Sequence, residues 1–399
     1  MKSYIMYKIR TIVLFSVFLL SLTSVRAQEK KYEIGGYIKN MEGLFFLAEP
    51  ESQILNTSIL DYNLTHQRFQ FDYFFSNNLT ATVHVRNRLY IGNMIRKIPP
   101  FSMITEKDNG RVDMSWNIAN GDSWFLNTSI DRLFLDYTYG EWNITLGRQR
   151  INWGINLVWN PNDLFNNYNY LDFDYEERPG ADAVKLTRYF GYTSSMELAY
   201  KMGENIESRA LAAAYRFNTK GYDIQLLGGW KGYDLVIGGG WSGDIKGAGF
   251  RGEITYFYPM SGYKEKSDQA TVASISLDYT FSNGFYLQTS GLYNSQGTTG
   301  DISSQNILYM DSDLSAKQLS LGRYEWFGQF NYTVSPIVQV SCSSIMNVCD
   351  TSGYVGPSVT FSLSDDLELM TMGQLFWGKA LTEYGSAPNS VYLRLKYSF

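Results

Sequence analysis

The chain ends on an uninterrupted alternation. Val391, Leu393, Leu395, Tyr397 and Phe399 are apolar, and Tyr392, Arg394, Lys396 and Ser398 stand between them. A period of two belongs to a β-strand with one face in an apolar phase and the other in a polar one. The pattern recurs upstream. From Leu79 to Ile91 the odd positions are Leu, Ala, Val, Val, Asn, Leu and Ile, and the even ones include His84, Arg86 and Arg88. Leu133, Leu135, Tyr137 and Tyr139 alternate with Arg132 and Asp136, and Ala273 to Phe281 repeats the scheme. A soluble sheet shows such strands singly and protects its edges. So many in one chain point to strands that close on themselves, with lipid outside and water inside.

Composition agrees. The chain has 31 Tyr, 24 Phe, 9 Trp and 35 Gly but only 9 Pro and 2 Cys. Its mean hydropathy is −0.23, because an outward apolar face averages away against an inward polar one. No run of about 18 apolar residues follows the amino terminus, so a helical membrane span is not expected. Lys2, Lys8 and Arg10, an apolar core from Thr11 to Thr23, and Val25-Arg26-Ala27 read as an export signal over residues 1–27. Losing its four cations takes the formal charge from −5 to −9. That balance argues against nucleic-acid binding.

Segment by segment, the alternation predicts an all-β, antiparallel, up-and-down transmembrane barrel of about eighteen strands, residues 28–399 forming one domain. Every second connection is a tight turn, as at Ser76-Asn77, Gly140-Glu141, Gly191-Tyr192, Ser335-Pro336 and Ser364-Asp365. Long connections fall between them, at 92–126, 154–180, 259–268, 295–318 and 379–388. Short turns on one rim and long loops on the other fit a barrel inserted from the periplasm. The brief connection Lys231-Gly232-Tyr233 breaks the rule and leaves sixteen strands as the alternative. Strands starting soon after Gln28 leave no room for an amino-terminal plug, which argues against a TonB-dependent receptor.

Parity assigns faces. With Val83, Val85 and Leu89 outward, His84, Arg86 and Arg88 point into the lumen, as do Arg132, Asp136, Lys185, Arg394 and Lys396. Strict alternation after Leu146 sends Arg148 and Arg150 into lipid, at about 2–4 kcal/mol each near the midplane. A bulge at Gly147 would turn both inward, and is preferred here over a position at the rim. The result is a basic inner band able to favour anions. The opposing reading pairs these charges with lumenal carboxylates that merely fill the interior. The connection 154–180 is rich in Asp163, Asp172, Asp174, Glu176 and Glu177 against Arg178, and it carries Trp159, Phe165, Tyr168, Tyr170 and Phe173 next to Trp153. Trp153, Trp159, Asp163, Phe165, Glu177 and Arg178 are candidates for a constriction inside the barrel mouth, where aromatics would stack on a sugar-like solute. Packing on the outer rim is the alternative.

Two resemblances follow from these residues. The terminal strand, with Tyr397 and Phe399, resembles the assembly signal of Gram-negative outer-membrane barrels, which implies recognition by the barrel assembly machinery and residence among outer-membrane lipid and lipopolysaccharide. Leu146-Gly147-Arg148-Gln149 with Trp153-Gly154, then Asp182-Ala183-Val184-Lys185-Leu186, resembles the signature of the alginate-export family and related porins. The resemblance implies an eighteen-stranded barrel with an arginine-rich lumen, and carries Arg148, Arg150 and Lys185 over as pore-lining candidates. Trp159–Asn166 and Glu177-Arg178-Pro179-Gly180 suit a broader porin relative better than an alginate exporter.

Enzymatic and metal chemistry find little footing. The only histidines, His66 and His84, lack metal-ligand spacing, and no nucleophile elbow or phosphate loop is present. The acidic loop lacks the spacing of a calcium hand. No catalytic residue, metal or cofactor is therefore expected. Cys342 and Cys349 are candidates for a small disulfide in an oxidising compartment, with two free thiols as the alternative. The expectation is a channel for small anionic or sugar-like solutes, its oligomeric state open; the alternative is a plugged surface barrel acting as adhesin or scaffold.

Overall fold

The computed structural model describes residues 30–48, 53, 55–166, 170–174, 176–263, 265–300 and 315–399. The export signal expected over 1–27 and the loop residue Tyr168 lie outside them. Among the described residues, nineteen strands form one antiparallel sheet. In chain order they are β1 (Tyr32–Phe46), β2 (Ile59–Ser76), β3 (Leu79–Ile91), β4 (Ser115–Gly121), β5 (Trp124–Tyr139), β6 (Trp142–Gln149), β7 (Ala181–Tyr189), β8 (Ser195–Lys201), β9 (Ala210–Thr219) and β10 (Tyr222–Lys231). There follow β11 (Asp234–Ile245), β12 (Ala248–Pro259), β13 (Ala270–Thr280), β14 (Tyr286–Asn294), β15 (Tyr324–Ser335), β16 (Val338–Asn347), β17 (Gly353–Ser362), β18 (Leu367–Trp377) and β19 (Asn389–Ser398).

Eighteen of these close a barrel. The last strand pairs with the first, from Phe46↔Asn389 to Tyr37↔Ser398, and Gly36 and Phe399 exchange both backbone hydrogen bonds. The brief connection at Gly232-Tyr233 separates two true strands, so the count is eighteen and not sixteen. The additional strand is β4. It lies on the edge of β5 that β6 leaves at Arg148, pairing with Trp124–Ser129 while β6 pairs with Leu133–Tyr139. The connection 92–126 is therefore no plain loop. It holds β4 and two short helices, α1 (Asn93–Lys97) and α2 (Pro100–Glu106), and the strand expected to begin at 127 begins at Trp124.

Alternation decides what each wall presents. Outward side chains such as Leu226, Ile237, Ile254, Ile275 and Leu393 are exposed apolar groups, the pattern of a barrel bathed in hydrocarbon. Aromatic pairs gather at both rims. Tyr73–Phe75 and Tyr279–Phe281, each 4.8 Å between ring centres, sit near the short turns, and Tyr293–Tyr324, at 5.5 Å, sits at the long-loop end. Amphipathic rings favour that boundary. The tight turns Lys220-Gly221 and Lys246-Gly247 have φ of 51° and 83°, and 53° and 85°. Both residues left-handed is the twist that two-residue hairpins need.

The apolar core lies inside the barrel, in two parts. In one, α1 and Phe101 of α2 cover Met41, Leu64, Tyr90 and Phe125. In the other, Trp153, Trp159, Leu164 and Phe165 pack against a wall made small by Ala183, Ala199, Ala212 and Ala214. Cys342 lies on β16 and Cys349 in the turn beyond it, and both are free thiols. The five residue steps of strand from Cys342 to Asn347 extend roughly 17 Å, whereas a disulfide needs α-carbons within about 7 Å.

Candidate functional site: the lumenal loop and its anchors

The connection between β6 and β7 runs around the inside of the barrel. Trp153 is wholly buried, its ring edge-on to Phe165 at 4.8 Å, and its carbonyl accepts from Gln225 on β10 at 2.8 Å. Next the chain meets Glu253 on β12. That buried carboxyl accepts the backbone N–H groups of Ile155 and Asn156 (2.6 Å) on one oxygen and that of Asn162 (2.9 Å) on the other. Three N–H donors converging on two acceptor oxygens satisfy a tight loop that has no strand partner. Asn156 reaches Ser274 on β13 at 2.7 Å, and Ser274 donates to the carbonyl of Trp159 at 2.8 Å. Thr255 donates to Asn162, and Lys201 on β8 to the carbonyl of Phe165 at 3.1 Å. Asp163 lies buried beside this seat, and burial pushes its carboxyl up to about 7 despite nearby Lys231 and Arg150.

The second half crosses to the opposite wall. Tyr170 packs edge-on to Phe327 at 4.9 Å, Gln374 on β18 donates to the carbonyl of Leu171 at 3.0 Å, and Phe173 packs on Tyr392. Then the acidic residues meet the basic band. Asp174 pairs with Lys39 on β1 at 2.7 Å, and Lys39 is completely buried. Glu176 pairs with Lys396 at 2.7 Å and Arg394 at 3.2 Å on β19, and Arg394 also holds Glu368 at 2.7 Å. Burial alone would raise Glu176; the hydrogen bond and charge of Lys396, with Arg394, hold its carboxyl below the usual range. Burial raises Asp172, as does the charge of Asp174. Glu177 accepts from Tyr37 at 3.2 Å and lies 3.7 Å from Arg68, which is itself buried against Asp131. Arg132 donates to the carbonyls of Glu177 (2.7 Å) and Arg178 (2.9 Å), closing the circuit beside β7.

The residues singled out from sequence fall in distinct places. Arg86 and Arg88 sit on the inner face of β3. Arg86 faces His66 at 3.3 Å, and Arg88 donates to Asn127 and to the carbonyl of Thr105 in α2. Arg132 follows a bulge at Asp131, where the register of β3 with β5 shifts between His84 and Val85, so both residues turn inward. Asp136 accepts from Asn143 and Thr145 near the short-turn rim. Lys185 lies 3.9 Å from Glu197. Tyr397 points outward into the apolar belt. Trp153, Trp159, Asp163 and Phe165 form the buried seat, and Glu177 and Arg178 the return.

Gly147 is not a bulge. Strand β6 pairs without register shift from Trp142↔Tyr139 to Arg148↔Leu133, and β7 opposite likewise. Instead the backbone itself turns at φ +122°, where a built β-carbon would stand 2.2 Å from the carbonyl oxygen of Leu133. Nor does Arg148 present a free charge. Its guanidinium pairs with Asp108 at 2.6 Å and Asp182 at 2.7 Å and donates to the carbonyl of Val112, while Asp182 accepts the N–H groups of Arg111 and Val112. This buried cluster pins residues 108–112 to the end of the barrel strands. Arg150, just beyond β6, is half-buried and forms no ion pair among the described residues.

Sequence reasoning missed Glu253, the inward alanines and the helices of the 92–114 segment. Alanines at Ala181, Ala183, Ala199, Ala210, Ala212 and Ala214, spaced at twos, were the available signal that something bulky lies against that wall.

Beside the loop lies a cavity of about 410 Å³. Its wall combines Tyr170 and Phe173 with the hydroxyls of Ser341, Ser343 and Ser358, and its charges are Glu176, Glu368, Arg394 and Lys396.

No family model matches the chain, so the alginate-export resemblance rests on the quoted motif alone. No curated protein matches it in sequence. Solved structures do match in fold. The outer membrane protein OprD of Pseudomonas aeruginosa is similar at 9% identity, with a TM-score of 0.58, over 92% of this chain and 93% of that one. OccK11 (OpdR) of the same organism is similar at 10% identity and TM-score 0.56, over 92% and 96%. Acinetobacter baumannii OccAB3 matches at 10% identity and TM-score 0.56, over 92% and 99%. At such identities the likeness is one of architecture, and the chain has the fold of these large barrels.

Proposed function

We propose that this chain is an outer-membrane channel for small solutes, a porin-like protein and not an enzyme, in which residues 150–180 form the constriction. The observation that carries the reading is the circuit of that segment around the inner wall, anchored at Glu253 on one side and at Lys39, Arg394 and Lys396 on the other. A fold shared with an outer membrane protein, an apolar outer belt and aromatic rims support the location. The exposed Tyr397 and the terminal Phe399 are the residues we assign to recognition by the assembly machinery.

The solute class follows from charge pairing. The cations beside the cavity are matched by carboxylates of the loop and of β18, so the basic band docks the loop instead of facing a passing anion. Two aromatic rings and a row of serine hydroxyls suit an uncharged, hydroxyl-rich solute. Refolded protein in a planar bilayer tests the channel, and absence of conductance at any voltage overturns it. Liposome swelling with a neutral hexose against gluconate tests the solute class; faster swelling with gluconate overturns the neutral preference. Glu176→Gln, which strips one carboxylate from the cavity, is expected to move the reversal potential toward anions.

A second reading, a plugged barrel with no transport role, draws on the two apolar clusters inside the barrel. The same conductance measurement separates the two.

A further inference from the structure

On β8–β18 the outward positions carry aliphatic, aromatic, glycine, serine, threonine, cysteine or proline residues, and none carries an amide or a carboxylate. The wall built by β1, β2, β3 and β5 is different. Inward burial of Lys39, Met41, Leu64, His66 and Arg86 fixes its parity, and this places Asn40, Glu42, Asn63, Thr65, Gln67 and Asn87 on the outside. They form a continuous stripe, since Glu42 is registered with Asn63, Asn40 with Thr65, and Gln67 with Asn87. Thr128 on β5 extends it, donating to Asn87 at 2.8 Å. Within the stripe Asn40 donates to Asn63 (2.9 Å) and Thr65 (3.0 Å), and Asn63 donates to Glu42 (2.9 Å).

Apolar rows flank the stripe on both sides. Leu44, Phe46, Ile59 and Ile91 lie exposed toward the long-loop rim, with Asp61 among them opposite Leu44 and its carboxylate taking the N–H of Asn93 at 3.4 Å, and Ile38, Phe69, Val85 and Ile130 lie toward the short turns. A spanning strand needs about 9–11 residues, and Thr65 is the eleventh residue back from Ser76. If the stripe lies in hydrocarbon, its amides are without water. If it lies in the aqueous rim, the row above it is apolar surface in water. A second wall with the same profile covers both the stripe and the apolar residues above it.

We propose that this wall is a contact between two copies of the chain, stripe against stripe about a two-fold axis along the membrane normal. The occupant has to offer, at the same height, hydrogen-bonding groups between two apolar rows. Among the described outward positions that profile occurs only on this wall, and a second copy inserted in the same direction brings it to the same level. Asparagine and glutamine amides both donate and accept, so the patch complements itself across a two-fold axis, as an isologous contact must. This inference does not depend on what the lumen conducts.

The test uses the full chain in the outer membrane of expressing cells, with Cys342→Ser and Cys349→Ser as background. Thr65→Cys treated with a short bismaleimide is expected to run mainly as a covalent dimer, and Ile275→Cys on the opposite wall as monomer. Heat-modifiable migration confirms that each variant is folded. No dimer at Thr65→Cys, or equal yields at both positions, overturns the proposal. In native mass spectrometry of extracted protein the wild type is expected at twice the chain mass. Asn40→Leu with Asn63→Leu, which makes the stripe compatible with lipid, should lower the dimer fraction at least tenfold. A wild-type monomer, a threefold mass, or a monomer carrying lipopolysaccharide overturns it.

Discussion

Replacing Glu253 by glutamine asks whether the constriction is held where it is by one side chain. The carboxyl offers two acceptor oxygens to three backbone N–H groups, Ile155 and Asn156 sharing one and Asn162 taking the other. A glutamine keeps its shape but has one acceptor. If its oxygen serves Ile155 and Asn156, its amide nitrogen points a donor at the N–H of Asn162, buried at a site shielded from solvent. A buried donor left without an acceptor costs about 1–3 kcal/mol, and each 1.4 kcal/mol is about a tenfold change in a population ratio. The displaced state of the first half of the loop therefore rises by roughly 5- to 150-fold. Trp153, Leu164 and Phe165 remain packed on the alanine wall, so the second half and the barrel keep their structure. In single-channel recordings Glu253→Gln is expected to add brief transitions to a higher conductance, and limited proteolysis of refolded barrels should cut within 155–166 sooner than in wild type. Unchanged conductance, unchanged noise and unchanged cleavage in a folded variant would refute the reasoning, because the loop would then owe its position to other anchors.

Three further outcomes are expected. Arg148→Ala strands Asp108 and Asp182 in a buried cluster, a loss of about 3–5 kcal/mol visible in the thermal transition of the heat-modifiable form, while the reversal potential stays at the wild-type value; Arg150→Ala, removing a half-buried cation with no ion-pair partner among the described residues, should move it toward cations. Gly147→Ala forces a side chain onto φ +122° against the Leu133 carbonyl, at a cost of order 1–3 kcal/mol or more, and should reduce refolding yield, whereas Gly291→Ala, whose nearest neighbour is 3.8 Å away, should refold as wild type. Asp163, raised from 3.8 to about 7 by burial, binds more protons in the seated loop than in a displaced one. Its contribution to the seat is therefore full below pH 3.8 and lost as pH rises through about 7, so channel noise should grow between pH 5 and pH 8, and Asp163→Asn should flatten that dependence.

Legibility from sequence tracked the range of the interaction that decides each feature. Eighteen barrel strands and their alternating connections were readable because the pleat forces successive side chains to opposite faces and a lipid-exposed face tolerates few polar groups. Strand β4 and the helices α1 and α2 were not. Phe101, Met94 and Ile95 find their apolar partners on β2, β3 and β5, and nothing in their own spacing names those partners. Arg148 was misread for a related reason. Parity made its position costly, a bulge offered a local escape, and the actual solution was a distant pair of aspartates carried on a neighbouring segment and on β7.

The sequence by itself determined the barrel, which rim carries the long loops and most of the side chains that face inward, and narrowed the strand count to eighteen or sixteen, since all of these follow from a two-residue period and from turn chemistry. The tertiary structure alone decided where the charges end up. Arg394 and Lys396 belong to a basic band by parity, and Lys39 on β1 joins them in the structure, yet each is answered by a carboxylate of the loop between β6 and β7, brought more than a hundred residues along the chain to meet it. Burial of a cation is stable only with such a partner in place, and that partner is fixed by the path of the loop and not by any local pattern.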